Sequence, residues 1–349
     1  MAYTTINKST SYFNTKLFTG NGSTQSITGV GFQPDWVWFK NRSSTQNHRL
    51  FDAVRGAGKN LKSNDTTAEI NAGTGTDGQL RTFDSDGFSV GSDGSVNNNG
   101  ENIASWNWKA NGAGSANTDG SISSTVSANT TAGFSIVKFT GTGANGTVGH
   151  GLGVAPKVII TKSRGNAENW GVYHSTLGNT KQLELNNNVD ATSNSSAYYN
   201  NTSPTSSVFS VGTADSTNDA ANMIAYCFAE KTGYSKFGTY IGNGNADGPF
   251  VYTGFKPAWV LIKSYAGGDD WWGLSDNKRQ TSVNDGTRGN LLPNSNAVEG
   301  TLAIDYLSNG FKLRNTNTGT NGNTSWYYVY MAFASAPLVG SNNIPATAR

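Results

Sequence analysis

Gly31-Phe32-Gln33-Pro34-Asp35-Trp36-Val37-Trp38-Phe39-Lys40 turns at a glycine and a proline and then runs into four bulky apolar residues. Successive strand side chains point to opposite faces, so Trp36-Val37-Trp38-Phe39 is apolar on both. A strand of that kind lies between two packed layers. Proline fits as the residue that opens such a strand, where no ladder hydrogen bond is lost.

The same pattern occurs twice more. Gly153-Val154-Ala155-Pro156-Lys157-Val158-Ile159-Ile160-Thr161-Lys162 and Gly254-Phe255-Lys256-Pro257-Ala258-Trp259-Val260-Leu261-Ile262-Lys263 also reach a lysine six residues after the proline. Other landmarks keep the same order. A Gly-x-Gly turn precedes each stretch, at Gly20-Asn21-Gly22, Gly141-Thr142-Gly143 and Gly242-Asn243-Gly244. A Leu-x-x-Asn follows, at Leu61 to Asn64, Leu183 to Asn186 and Leu291 to Asn294. Phe88-Ser89-Val90, Phe209-Ser210-Val211 and Phe311-Lys312-Leu313 form a short strand. Trp106 and Trp108, Tyr226 and Phe228, and Met331 and Phe333 mark a closing one. From Pro34 to Pro156 is 122 residues and from Pro156 to Pro257 is 101, and the Gly-x-Gly and Phe-x-apolar landmarks agree with these steps to within one residue.

These spacings predict an all-β chain of three tandem antiparallel β-sandwich, jelly-roll-like repeats of about 100 residues each. The expected division is an N-terminal arm at 1–14, repeats at 15–110, 134–233 and 234–337, and a C-terminal tail at 338–349. Residues 111–133, poor in bulky apolar groups, are expected as a linker or long loop. The alternative organisation is a single body in which the three copies share one core.

Composition agrees with strands and turns. Gly, Asn, Ser and Thr dominate the polar fraction of the 349 residues and favour turns over helix interiors. A net charge of +2 without a long basic run argues against nucleic acid as a partner. No apolar run approaches bilayer length, and the first residues carry no apolar signal core. Cys227 is alone, which excludes an intrachain disulfide and fits a plain buried thiol.

Chemistry-bearing motifs are sparse. Gly141-Thr142-Gly143-Ala144-Asn145-Gly146 matches a dinucleotide fingerprint, but its continuation cannot start a helix, and a hairpin turn accounts for it. His48, His150 and His174 lack metal-ligand spacing, so no metal, cofactor or catalytic residue is expected. The acidic pairs Asp84 and Asp86, Asp215 and Asp219, and Asp269 and Asp270 fall at different places within their copies, unlike a repeated catalytic dyad. Lys40, Lys162 and Lys263 are expected at solvated strand ends, with a buried ion pair or ligand contact as the other reading. Loop aromatics are the binding candidates. Trp271 and Trp272 beside Asp269 and Asp270, and Tyr198 with Tyr199, carry the chemistry that stacks on sugar rings and bonds their hydroxyls. Tyr327, Tyr328 and Tyr330 are the candidate subunit interface.

Phe13-Asn14-Thr15-Lys16-Leu17-Phe18-Thr19-Gly20-Asn21-Gly22 and the Gly31–Lys40 stretch resemble a β-domain family found in virion proteins of marine tailed phages, including cyanophages. The resemblance is clearest in the first copy and departs in the second, where Val158-Ile159-Ile160 replaces the Trp-rich strand. It implies a non-enzymatic structural protein on the virion surface, assembled in the host cytoplasm, as a capsid decoration or tail-fibre component. Its implied partners are other virion proteins, a host-surface glycan and further copies of itself, with no membrane insertion. The polar ends are then expected as arms that order on the particle. The alternatives are a carbohydrate-binding module and, behind it, a glycan-degrading tailspike.

Overall fold

A computed structural model describes residues 3–193, 195–279 and 287–339. The chain is all-β, with short antiparallel sheets joined by turns. Three four-strand arrays share one order. In the first, Phe13–Thr19 and Trp36–Asn41 flank the closing strand Asn102–Trp108, and Arg49–Asp52 lies outside. Phe134–Thr140, Asn222–Phe228, Val158–Ser163 and Gly171–His174 repeat that order. So do Ser235–Ile241, Tyr327–Pro337, Phe255–Ala266 and Gly273–Asp276. We call the three arrays with their loops units 1, 2 and 3. A smaller antiparallel sheet covers the outside of each, built around Gly87–Val90, Val208–Val211 and Gly310–Leu313.

The doubly apolar strands sit where their pattern requires. Val37 and Phe39, Ile159, and Val260 and Ile262 face outward into separate sandwich cores under the outer sheets. Trp36 and Trp38, Val158 and Ile160, and Trp259 and Leu261 face inward into one core common to all three units. At its centre the rings interlock across unit boundaries. Trp36 stacks on Tyr226 at 4.4 Å between centroids, Trp108 meets Trp259 at 5.6 Å, and Phe228 meets Phe333 at 6.0 Å. The organisation is therefore the integrated one: three sandwiches closed around a shared core.

A buried asparagine explains the Gly-x-Gly turns. Asn97, Asn218 and Asn321 are fully buried. Their Oδ1 atoms accept the backbone N–H of Asn21, Thr142 and Asn243 at 3.0, 2.9 and 2.9 Å, the middle residue of each turn. The first glycine of each turn is needed for close approach. A Cβ on Gly20, Gly141 or Gly242 would lie 2.1, 2.0 or 2.1 Å from a backbone oxygen. The second glycine has φ of 65°, 65° and 62°, the left-handed region.

Two expectations are corrected. Residues 111–133 are not a plain linker: Ser124–Asn129 pairs onto Phe134–Thr140 and Ser115–Asn117 onto Ser124–Asn129, adding two strands to one edge of the unit 2 sheet. Ile122 and Val126, the only bulky apolar residues there, anchor the extension in the unit 2 core. The N-terminal arm is not free either. Tyr3 Oη donates to Gly254 O at 2.8 Å, and Ile6 is buried in the shared core. Of the expected tail, residues 340–349 lie outside the described residues.

A shared core makes the units thermodynamically inseparable. Excising residues 234–337 would strip Trp259, Leu261, Met331 and Phe333 from Trp108 and Phe228. We expect one cooperative heat-absorption peak for the whole chain in scanning calorimetry and no cooperative peak for residues 1–233 alone. Three resolved transitions would contradict a common core.

Candidate functional site

The unit boundaries hold the fully buried Asp–Arg pairs. Equivalent residues bond around the ring in one sense. His48, Trp170 and Trp272 occupy matching positions, each with its backbone N–H held by the asparagine of the Leu-x-x-Asn landmark: Asn64, Asn186 and Asn294. Each ring then crosses to the neighbouring unit. His48 Nε2 meets Leu292 O at 3.1 Å, Trp170 Nε1 donates to Lys62 O at 2.8 Å, and Trp272 Nε1 donates to Glu184 O at 2.9 Å. Three matching cross-bonds lock unit 1 to 3, 2 to 1 and 3 to 2.

Two of the three boundaries also carry ionic clusters. Asp52 pairs with Arg55, both with fully buried side chains, and accepts from Tyr226 Oη at 2.8 Å. Arg55 reaches Glu69 at 3.1 Å, and Arg164 clasps Glu69 from unit 2 with two hydrogen bonds of 2.8 and 2.9 Å. Asp276, Arg279, Glu299, Trp106 and Arg42 repeat this arrangement between units 3 and 1. Despite their burial, Glu69 and Glu299 are held below the usual carboxylate range by the paired arginines. At the third boundary His174, Leu177, Ala191, Met331 and Tyr265 stand in the corresponding places; His174 is buried, and the other four belong to or pack against the shared apolar core.

The strand-end lysines are not solvated. Lys40, Lys162 and Lys263 are fully buried. Their ammonium groups donate to backbone carbonyls, at 2.6 Å to Asn41, 2.8 Å to Ser163 and 3.0 Å to Asn188. Burial pushes all three down to about 8, against a smaller opposing pull from nearby carboxylates. A strand ending in lysine looks solvent-facing in sequence because the groups that receive it are backbone carbonyls, those of the next residue at Asn41 and Ser163 and that of the neighbouring unit at Asn188.

The aromatic candidates divide. Trp271 is 46% exposed, whereas Trp272 is 3% exposed and belongs to the boundary lock. Tyr199 is buried against Tyr173, and Tyr198 is half-buried with its hydroxyl 2.8 Å from Thr192 Oγ1, so that pair mainly packs its own loop. Tyr328 and Tyr330 correct the interface expectation. Both are buried beneath the outer sheet of unit 3, and only Tyr327 is exposed. In the Tyr327–Pro337 strand, 328 and 330 share the face turned to the outer sheet of unit 3, while 327 alternates away from it.

The acidic pairs are largely engaged in holding turns. Asp86 accepts the N–H groups of Gly29 and Gly31 at 3.0 and 2.7 Å, and Asp219 accepts from Ser163 Oγ and Asn166 Nδ2 at 2.6 and 2.8 Å. Asp269 Oδ1 accepts the N–H of Asp190 at 2.9 Å, and Asp270 Oδ1 that of Trp271 at 2.7 Å. No group of three or more His, Cys, Asp or Glu placed to hold a metal ion occurs among the described residues. Cys227 is buried and its thiol is pushed up by desolvation.

Trp271 borders a cleft of about 160 Å³ lined by Asp270, Asn290, Asn317 and Thr320. Asn290 contributes a buried Oδ1 without a hydrogen-bond partner. Asn290 and Thr320 were not legible as candidates: the outer-sheet strand Thr287–Asn290 and the turn Thr318–Asn321 bring them to position 271 from distant sequence.

A family model described as a domain of unknown function (DUF7483) matches residues 8–337. No curated protein and no solved structure matches the chain. With nearly the whole described chain matched, the protein belongs to the DUF7483 family.

Proposed function

We propose that the chain is a non-enzymatic structural and adhesive protein of the virion surface of a tailed phage, as a capsid decoration or tail-fibre component. The observation that carries this reading is the construction of the body. Three sandwiches are locked by matching cross-bonds around one core, which gives a stiff support with polar loops outward. The resemblance of the Phe13–Gly22 and Gly31–Lys40 stretches to marine phage virion proteins points the same way. Mass spectrometry of purified particles tests it: the protein is expected at a stoichiometric level, and its absence from particles refutes the virion assignment.

A carbohydrate-binding role, on or off a virion, is the second reading, favoured by the exposed Trp271 at a polar cleft. A glycan-degrading role has less support, because Asp86, Asp219 and Asp269 already serve local backbone and side-chain donors. Self-association loses the support first drawn from Tyr328 and Tyr330, which are used inside unit 3.

A further inference from the structure

In units 1 and 2 the landmark asparagine makes a second bond. Asn64 Nδ2 donates to Asn47 Oδ1 at 2.8 Å, and Asn186 Nδ2 donates to Asn169 Oδ1 at 2.8 Å. Asn47 and Asn169 each immediately precede the boundary ring, His48 or Trp170. In unit 3 the residue before Trp272 is Trp271, which offers no acceptor there. Asn294 still holds the N–H of Trp272 at 3.1 Å, but its Nδ2 has no partner although the residue is 93% buried. An orphaned buried amide lowers stability and calls for an explanation. Unit 3 thus forgoes a hydrogen bond kept by the other two units and gains a half-exposed indole.

That indole stands beside a concave polar surface. Another orphaned atom, Asn290 Oδ1, belongs to a residue lining this cleft, Asp270 supplies a carboxylate, and Asn317 and Thr320 also line it. Acceptors outnumber cations, and the cleft is of single-ring size. We infer that the Trp271 cleft is a sugar-binding site that takes one neutral or amino-bearing pyranose, stacked on the indole, with its hydroxyls donated to Asn290 Oδ1 and the Asp270 carboxylate. Tryptophan suits such a place because it combines a large flat apolar face with low conformational cost. Asp270 repels an acidic sugar, so uronic and sialic acids are excluded. Units 1 and 2 have asparagine at the matching position, so the site occurs once per chain.

This site rests on the adhesive part of the proposed function and is independent of the virion part. Binding is measured on the isolated protein, so a protein absent from particles that still binds sugar fails the first and keeps the second. The probe is a panel of methyl pyranosides, neutral, amino-bearing and acidic, read by saturation-transfer NMR and by the shifts of the tryptophan indole N–H signals. We expect a neutral or amino sugar to bind and to move one indole signal. W271N places in unit 3 the residue found in units 1 and 2 and gives Asn294 Nδ2 its acceptor. It is expected to weaken binding at least tenfold while its Tm equals or exceeds that of the parent, which separates lost binding from lost folding. Absence of binding across the panel, preference for acidic sugars, or undiminished binding by W271N each overturns the site. A lower Tm for W271N overturns the argument that Trp271 is maintained against stability.

Discussion

R55L is expected to destabilise the protein by about 3–5 kcal/mol, because it leaves the Asp52 carboxylate buried at the boundary of units 1 and 2 without its cation. Asp52 then keeps the Tyr226 hydroxyl and the backbone N–H of residue 55, which bond the charge without neutralising it. Glu69 retains Arg164, so the loss centres on Asp52. Urea denaturation of the whole chain reads the effect as a lower midpoint with an unchanged slope. The protein also contains a template for repairing the damage. At the third boundary, the positions of Asp52, Arg55, Glu69, Arg164 and Tyr226 are filled by His174, Leu177, Ala191, Tyr265 and Met331. Transplanting all five, as D52H, R55L, E69A, R164Y and Y226M together, is expected to restore most of the stability lost by R55L alone. Apolar replacement of a complete buried ion cluster is often neutral or better, whereas removing half of it is costly. A quintuple variant no more stable than R55L would mean that the two kinds of boundary are not interchangeable.

The contrast among the three boundaries also explains what could be read from sequence. Turns and doubly apolar strands were legible because both are local: Gly20 and Gly22, or Trp36 and Val37, carry their meaning within a few residues. The shared core was legible only as an alternative. Periodicity shows that Trp36 and Trp38 need a covering layer, but not that Tyr226 and Phe228, far along the chain, help to supply it. The ionic clusters were invisible for the same reason, since Arg42 finds Glu299 across 257 residues. Buried lysines were misread because backbone carbonyls, which every residue carries, leave no signature in composition. The Trp271 substitution was the most informative signal left unused. Extending the landmark comparison to the residue before His48, Trp170 and Trp272 gives Asn, Asn and Trp, and only the bond from Asn64 or Asn186 shows what the change removes.

Acid should loosen the boundaries of unit 3 before it reaches the carboxylate clusters. His48 is fully buried with both ring nitrogens engaged. Nδ1 lies 2.8 Å from Trp38 Nε1, which can only donate, so Nδ1 accepts and Nε2–H donates to Leu292 O in unit 3. This neutral tautomer satisfies both contacts. Protonating Nδ1 would set two donors against each other, with Lys40 and Arg279 adding like charge, so burial and surroundings hold His48 well below its ordinary 6.5. His174 lies at the apolar boundary of units 2 and 3. Burial, and to a lesser extent Lys157, pushes it down to about 4, partly opposed by the nearby backbone carbonyl of Tyr330. Both histidines are therefore neutral when folded and take up a proton more readily when unfolded. The unfolded state binds more protons below pH 6.5, so stability falls as pH falls from 6.5, and the His174 contribution is fully lost below about 4. For His174 the loss by about pH 5 is roughly 2 kcal/mol, and His48 adds a loss of the same sign. Glu69 and Glu299 titrate lower, because their arginines hold them below 4.5, and their pairing is lost only in stronger acid. Urea midpoints measured between about pH 7 and pH 5 should decline, and H174L should reduce the decline. A midpoint constant over that range would contradict a contribution from the buried histidines, and a decline unchanged in H174L would rule out His174 as a source.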